Sequence, residues 1–150
     1  MQARMEHPAL SVPGVMDGLQ ALAKAVSRGG LPKTTAELVN LRASQLNGCS
    51  VCVVMHARDL RKAGESEERI SAVSAWRDAP FYTDAERAAL ALSEAVTRLA
   101  DRDDPVPDEV YDEAARQFEE PVLKALVVQL TLINAWNRLN VTTRQVAGEW

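Results

Sequence analysis

No stretch of this chain approaches the roughly 20 consecutive apolar residues of a membrane-spanning helix, so a membrane protein is not expected. Residues 1–15 hold two prolines and His7 but no apolar run of about seven or more, so the hydrophobic centre of a secretory signal is also missing. Both absences point to a cytoplasmic location. A basic surface is lacking as well: the 17 Lys and Arg are scattered among 21 Asp and Glu, for a net charge of −4. Without a basic stripe to follow phosphates, nucleic acid is not expected as a partner. Alternating apolar and polar runs do not occur, so no strand candidate survives, and neither a repeat nor a low-complexity segment is evident.

Cysteine is scarce, with two copies in one group, Cys49-Ser50-Val51-Cys52. Where glutathione keeps thiols reduced, such a pair is more often catalytic or metal-binding than a structural staple. The chain has no need of a staple. Its 150 residues, 47% hydrophobic and 25% charged, suit one domain over residues 1–150 with its core at about 15–140.

What is present is helical periodicity between strong punctuators: Gly29-Gly30, Gly64, Asp78-Ala79-Pro80 and residues 103–107. Leu19, Leu22, Ala23 and Val26 form one face of a helix over about 15–28, which the glycines stop. Thr34 and Glu37 read as a capping box opening a second helix, which Asn47-Gly48 breaks. A third begins around the cysteines and runs to Gly64. Ser66 caps a short segment to about Trp76, and Thr83 with Glu86 forms another capping box ahead of a stripe of Ala85, Ala88, Leu92, Val96 and Leu99. Pro107 and Pro121 open the last two helices, each at a first-turn position. The final one is apolar over more than half its circumference, which predicts burial and a contact with another subunit. The expected fold is an all-α, single-domain helix bundle that assembles as a homo-oligomer.

The candidate chemistry sits around the cysteine pair. Residues 49, 52 and 56 are separated by three and four, so on one helix they share a face and the His56 imidazole lies one turn beyond Cys52. A first-turn cysteine feels the positive end of the helix dipole, which favours the thiolate. Only a few per cent of a thiol with pKa about 8.5 is ionised at neutral pH, so an adjacent base is useful. Helix-entry geometry alone selects Cys49 as the nucleophile, whereas His56 selects Cys52. Glu37 stands where it can orient His56. A Cys52 thiolate that attacks a hydroperoxide becomes a sulfenic acid, which Cys49 can condense into a disulfide for an external dithiol to reduce.

The spacing of Glu37, eleven residues, Cys49-Ser50-Val51-Cys52, three residues and His56 resembles the motif of the alkylhydroperoxidase D type within the carboxymuconolactone decarboxylase superfamily. The likeness extends more loosely over residues 31–139, including Phe81-Tyr-Thr-Asp-Ala-Glu-Arg87 and Asn134-Ala-Trp-Asn-Arg138. The resemblance implies an all-helical subunit in trimers or hexamers, with thiol-dependent peroxidase or related dithiol activity and no bound cofactor. It also implies that Cys52 is peroxidatic, that Cys49 is the resolving, partner-facing thiol, and that Glu37 and His56 relay protons. The reductant it implies is a lipoyl-bearing or thioredoxin-like protein. The prototype has a second histidine between its cysteines where this chain has Val51, which shortens the relay. Superfamily members that act as decarboxylases lack the cysteine pair, so its presence counts against lactone decarboxylation.

Competing readings accompany these residues. Glu37 can serve only its capping box, and Cys49, Cys52, His56 and Glu37 together have donor chemistry suited to zinc, although a second clamp of paired ligands is missing. A binding or structural module using those four ligands, or a superfamily enzyme with a drifted substrate, are the alternatives to the peroxidase. His7 is assigned to a mobile terminus and Trp150 to the chain end. Trp76, Phe81, Tyr111, Phe118 and Trp136 are assigned to core or subunit contacts. Asn134, Asn137 and Arg138 are assigned to helix C-capping or hydrogen bonding between subunits. Residues 65–68 and 101–108 read as solvated acidic helix starts.

Overall fold

The computed structural model describes residues 2–101 and 103–148, and among them the chain forms eight α-helices and no strand. They are α1 (Pro8–Ser11), α2 (Val15–Arg28), α3 (Lys33–Asn47), α4 (Ser50–Lys62), α5 (Glu67–Ala72), α6 (Asp84–Thr97), α7 (Asp108–Gln117) and α8 (Glu120–Thr143). The all-α bundle is the expected fold, and Trp150 lies outside the described residues. No helix among them is long and apolar enough to cross a membrane.

Local signals explain most boundaries. The Thr83 hydroxyl accepts from the Glu86 N–H at 3.2 Å while the Glu86 carboxylate accepts from the Thr83 N–H at 2.8 Å, which is the expected capping box. Ser66 caps α5 by accepting from the Arg69 N–H. Gly48 ends α3 with φ 68°, and Gly30 follows α2 with φ 80°, both in the region that glycine enters without a Cβ penalty. Gly29 acts differently: a Cβ there would lie 2.5 Å from the Ala125 Cβ, so its bare backbone lets α2 approach α8.

Two expectations are corrected. The Thr34–Glu37 capping box does not form, because α3 starts at Lys33 with Pro32 as its extended N-cap; Thr34 is already inside the helix and Glu37 turns toward α4. Helix α6 ends at Thr97, so Leu99 falls in a 3-10 turn and is 52% exposed instead of extending the buried stripe. Of the aromatics assigned to core or subunit contacts, Trp76 and Phe118 are buried in the core and Phe81 and Tyr111 are exposed on the subunit surface.

Helix α3 is the hub, packed against α4, α6 and α8, with α2 laid over α8. Its Leu38 and Leu41 join Leu60, Val73, Trp76 and Leu90 in one apolar cluster, while Val39 faces Ala89, Leu92, Leu126 and Leu130 in another. Fully burying each leucine contributes about 1.5–3 kcal/mol. A polar ladder fixes the register of α8 on α3. Gln129 donates to the Asn40 side chain at 2.7 Å, Asn137 to Ser44 at 3.0 Å, and Asn47 to Asn137 at 2.8 Å and to Asn134 at 3.0 Å. Asn134 also donates to Thr97 of α6 at 3.2 Å. Asn134 and Asn137 are thus mid-helix ties within one subunit, not C-caps, because α8 continues to Thr143. Arg138 bonds back to Asn134.

Candidate functional site

The turn between α3 and α4 sets the site. After Gly48 reverses the chain, the Cys49 N–H closes onto the Ser44 carbonyl at 2.9 Å, and Cys49 becomes the N-cap of α4 with its Sγ accepting from the Cys52 N–H at 3.3 Å. The motif therefore straddles a helix start, as its spacing predicts. With Cα atoms 5.4 Å apart, the cysteines are joined as a disulfide, and each is 1% exposed. Both sulfurs lie at the positive end of α4, where a thiolate formed on reduction is favoured.

His56 follows one turn along the same helix and is buried. The packing of α3 on α4 brings Glu37, nineteen residues earlier, to 2.7 Å from the His56 Nδ1. A carboxylate oxygen can only accept, which puts the hydrogen on Nδ1 and leaves Nε2 of the neutral ring with a lone pair. Nε2 is buried and has no hydrogen-bond partner. The expected touch between His56 and Cys52 is not a hydrogen bond in this oxidised form, for a simple reason. A disulfide sulfur carries no proton to give to the Nε2 lone pair; reduction restores an S–H donor on a residue one helical turn away.

Asn140 of α8 completes the surroundings of Cys52, its Nδ2 donating to Sγ at 3.3 Å. Sequence reasoning missed this residue. The available signal was a third asparagine at the three-residue spacing of Asn134 and Asn137 in an otherwise apolar helix, where a buried amide must find a partner. His7 was misplaced too: its Nδ1 accepts from the Ala9 N–H at 3.0 Å, and its ring packs 5.9 Å from Trp136, while Arg4 bonds to the end of α8. The segment from Arg4 onward is therefore docked.

Two hollows flank the disulfide. The larger, about 600 Å³, is lined by Cys52, His56 and Glu37, with apolar walls from Val51, Met55, Leu132, Ile133 and Trp136 and a roof that includes His7 and Leu10. The smaller, about 440 Å³, is lined by Cys49 and not by Cys52; Gly48, Ser50, Val141 and Arg144 are its own walls, and Val51, Asn140 and Gln145 are shared by both. The four predicted residues thus come together, and each sulfur has its own hollow. For the metal reading, the sulfurs are bonded to each other and Nδ1 is taken by Glu37; no group of three His, Cys, Asp or Glu among the described residues is arranged to hold an ion.

Comparison with known proteins gives a consistent picture. The carboxymuconolactone decarboxylase family model matches residues 13–95, a stretch that includes Glu37, Cys49, Cys52 and His56 but stops before α8 and Asn140. The uncharacterized protein YdfG of Bacillus subtilis (strain 168) is 36% identical over 141 residues, which span 94% of each chain. A solved protein of unknown function from Agrobacterium tumefaciens, a candidate antioxidant defence protein AhpD, is 34% identical with a TM-score of 0.90 over 99% of this chain and 100% of its own. The debrominase Bmp8 shares the fold alone, with TM-score 0.80 at 20% identity over 91% of this chain and 73% of its own.

Proposed function

We propose, from the premise that this chain belongs to the carboxymuconolactone decarboxylase family, that it is a thiol-dependent peroxidase with an antioxidant role. It reduces hydroperoxides by cycling Cys49 and Cys52 between dithiol and disulfide. The observation that carries this reading is the Glu37–His56 pair with an unpartnered Nε2, set in the same apolar hollow as Cys52 and beside the disulfide.

In the proposed cycle, Nε2 of His56 takes the Cys52 thiol proton while Glu37 holds Nδ1–H and stabilises the imidazolium. The Cys52 thiolate attacks the distal oxygen of the hydroperoxide; the O–O bond breaks, and the departing alkoxide takes the proton from His56 to leave as an alcohol. Cys52 is then a sulfenic acid. The Cys49 thiolate attacks its sulfur, water leaves with the proton released by Cys49, and the disulfide results. Asn140 donates to Cys52 Sγ in the oxidised form and would hold the thiolate more strongly. An external thiol reductant returns both electrons by exchange. The apolar walls suit the organic part of a hydroperoxide, and no bound cofactor is required. Exposed apolar side chains on several helices, among them Leu22, Val127 and Val141, support a homo-oligomer such as a trimer or hexamer of single-domain subunits.

The test is stoichiometric. Reduced protein receives one equivalent of cumene hydroperoxide, and free thiols are counted beside Cys49→Ser, Cys52→Ser and His56→Ala variants. Wild type should lose both thiols to an intramolecular disulfide, Cys49→Ser should stop at a Cys52 sulfenic acid, and His56→Ala should slow the reaction by about 10²-fold or more. Inert thiols in the wild type would reject the peroxidase reading.

A further inference from the structure

The smaller hollow is outside the hydroperoxide chemistry and has a distinct character. It is the one that Cys49 lines, and Arg144 is the one charged residue on its walls. Among the described residues the Arg144 guanidinium has no ion pair and no hydrogen bond, whereas Arg42, Arg69 and Arg77 elsewhere in the chain are engaged. Arg144 is also the only non-glycine among the described residues with positive φ, 53°, at the end of α8. Glycine or asparagine enters that conformation at lower cost, so an arginine there is held against a backbone preference. An exposed cation with no partner among the described residues, beside a buried disulfide sulfur, is the juxtaposition to be explained.

We infer that the Cys49 hollow is a docking cleft for the reducing thiol, and that the reductant carries a negative charge near its sulfur which Arg144 holds. The chemical class is an anionic thiol on a slender arm, such as a carboxylate-bearing thiol. Burial of Cys49 to 1% exposure requires slenderness, because a thiol on a flat protein surface cannot reach a sulfur recessed in a hollow of about 440 Å³. Arg144 supplies the charge selection. The inference rests on the dithiol cycle proposed above only as far as the disulfide itself.

The exchange balances without another reactant. A thiolate RS⁻ attacks Cys49 Sγ; an R–S–S–Cys49 bond forms, the Cys49–Cys52 bond breaks, and Cys52 leaves as a thiolate beside the Asn140 N–H. A second RS⁻ attacks the R sulfur of the mixed disulfide, releasing RSSR and the Cys49 thiolate. The protons lost by two RSH are taken up by the two cysteines, so RSSR and protein dithiol are the products.

The experiment uses the oxidised full chain without hydroperoxide. Rates of disulfide reduction are measured with mercaptoacetate, 2-mercaptoethanol and cysteamine, each normalised to the same thiol's rate on an uncharged small disulfide. Wild type should favour mercaptoacetate over cysteamine by about fivefold or more, as expected for one charge pair at contact in a solvated cleft, and the preference should shrink in high salt. Arg144→Gln should bring the ratio to about one and Arg144→Glu should invert it, again from the change in one charge pair. Both rates are read on the same sample, so a loss of stability moves them together and leaves the ratio intact. Reactions quenched early with N-ethylmaleimide should carry mercaptoacetate on Cys49 and maleimide on Cys52. A ratio that ignores the substitutions, or an adduct on Cys52, overturns the assignment. Charge selection that persists while hydroperoxide leaves the reduced thiols untouched would sink the peroxidase reading and keep the cleft.

Discussion

At the residue scale, the sulfur of Cys52 is surrounded by groups from three helices: the helix start it occupies, His56 one turn on with Glu37 of α3 behind it, and Asn140 of α8. Asn140 offers a donor to a charged acceptor, an interaction that strengthens when the sulfur becomes anionic. Replacing it by leucine keeps bulk and removes the donor. Asn140→Leu should move the pH midpoint of Cys52 alkylation upward and slow its reaction near neutral pH by roughly tenfold. The check is the pH profile of iodoacetamide alkylation in a Cys49→Ser background; an unchanged midpoint would reduce Asn140 to a packing residue. Of the candidate site residues, Glu37, Cys49, Cys52 and His56 were visible in the sequence because their chemistry is written in residue type and spacing. Asn140 was not, because nothing local distinguishes an asparagine that reaches a sulfur from one that ties two helices together.

At the element scale, the site depends on how closely α2, α3 and α8 approach one another. The α3–α8 ladder of amides and hydroxyls sets the register that brings Asn140 to Cys52, and a half-satisfied buried ladder would cost more than an apolar one. Gly29 sets the α2–α8 distance. Its φ of −77° suits any residue, so the constraint is space alone. Gly29→Val should destabilise the protein by about 1–3 kcal/mol through overpacking against Ala125, and Ala125→Gly in the same chain should recover part of that loss. Urea denaturation midpoints of the two single variants and the pair decide it; simple additivity would mean that the two positions do not meet. The helices themselves were mostly legible, since caps and 3.6-residue stripes are local. The failures are instructive. The Thr34–Glu37 box lost to Pro32, which supplies an extended N-cap two residues sooner, and to His56, a stronger partner for the Glu37 carboxylate than a backbone N–H.

At the scale of the whole molecule, Glu94 of α6 is a junction. Its carboxylate accepts from Arg42 of α3 at 2.7 Å, from Trp76 Nε1 at 2.9 Å and from Arg77 at 2.5 Å, tying three parts of the chain together. Burial alone pushes this carboxyl up, but the hydrogen bonds from Trp76, Arg77 and Arg42 outweigh it and hold its pKa below the ordinary 4.5. A depressed folded pKa means that the unfolded chain binds the proton more readily, so Glu94 contributes stability that is complete above about pH 4.5 and is lost as pH falls through the folded value. Glu94→Gln should therefore cost about 3 kcal/mol near neutral pH, because it leaves the mostly buried Arg42 without its counter-charge, and the gap from wild type should narrow in acid. Thermal midpoints of both proteins across that range test this; a gap that stays constant would show that Glu94 acts through shape and not charge.

The sequence by itself determined the all-α class, most helix limits, and the placing of a dithiol and a histidine on one helix face, because these follow from periodicity, caps and spacing within a few turns of chain. Tertiary structure alone decided which nitrogen of His56 is free, that Asn140 reaches Cys52, that residues from Arg4 onward dock on the end of α8, and that the two sulfurs open into separate hollows. Each of these depends on side chains brought together from distant segments by the packing of α3 on α4 and α8. A one-dimensional pattern records faces, not which faces meet.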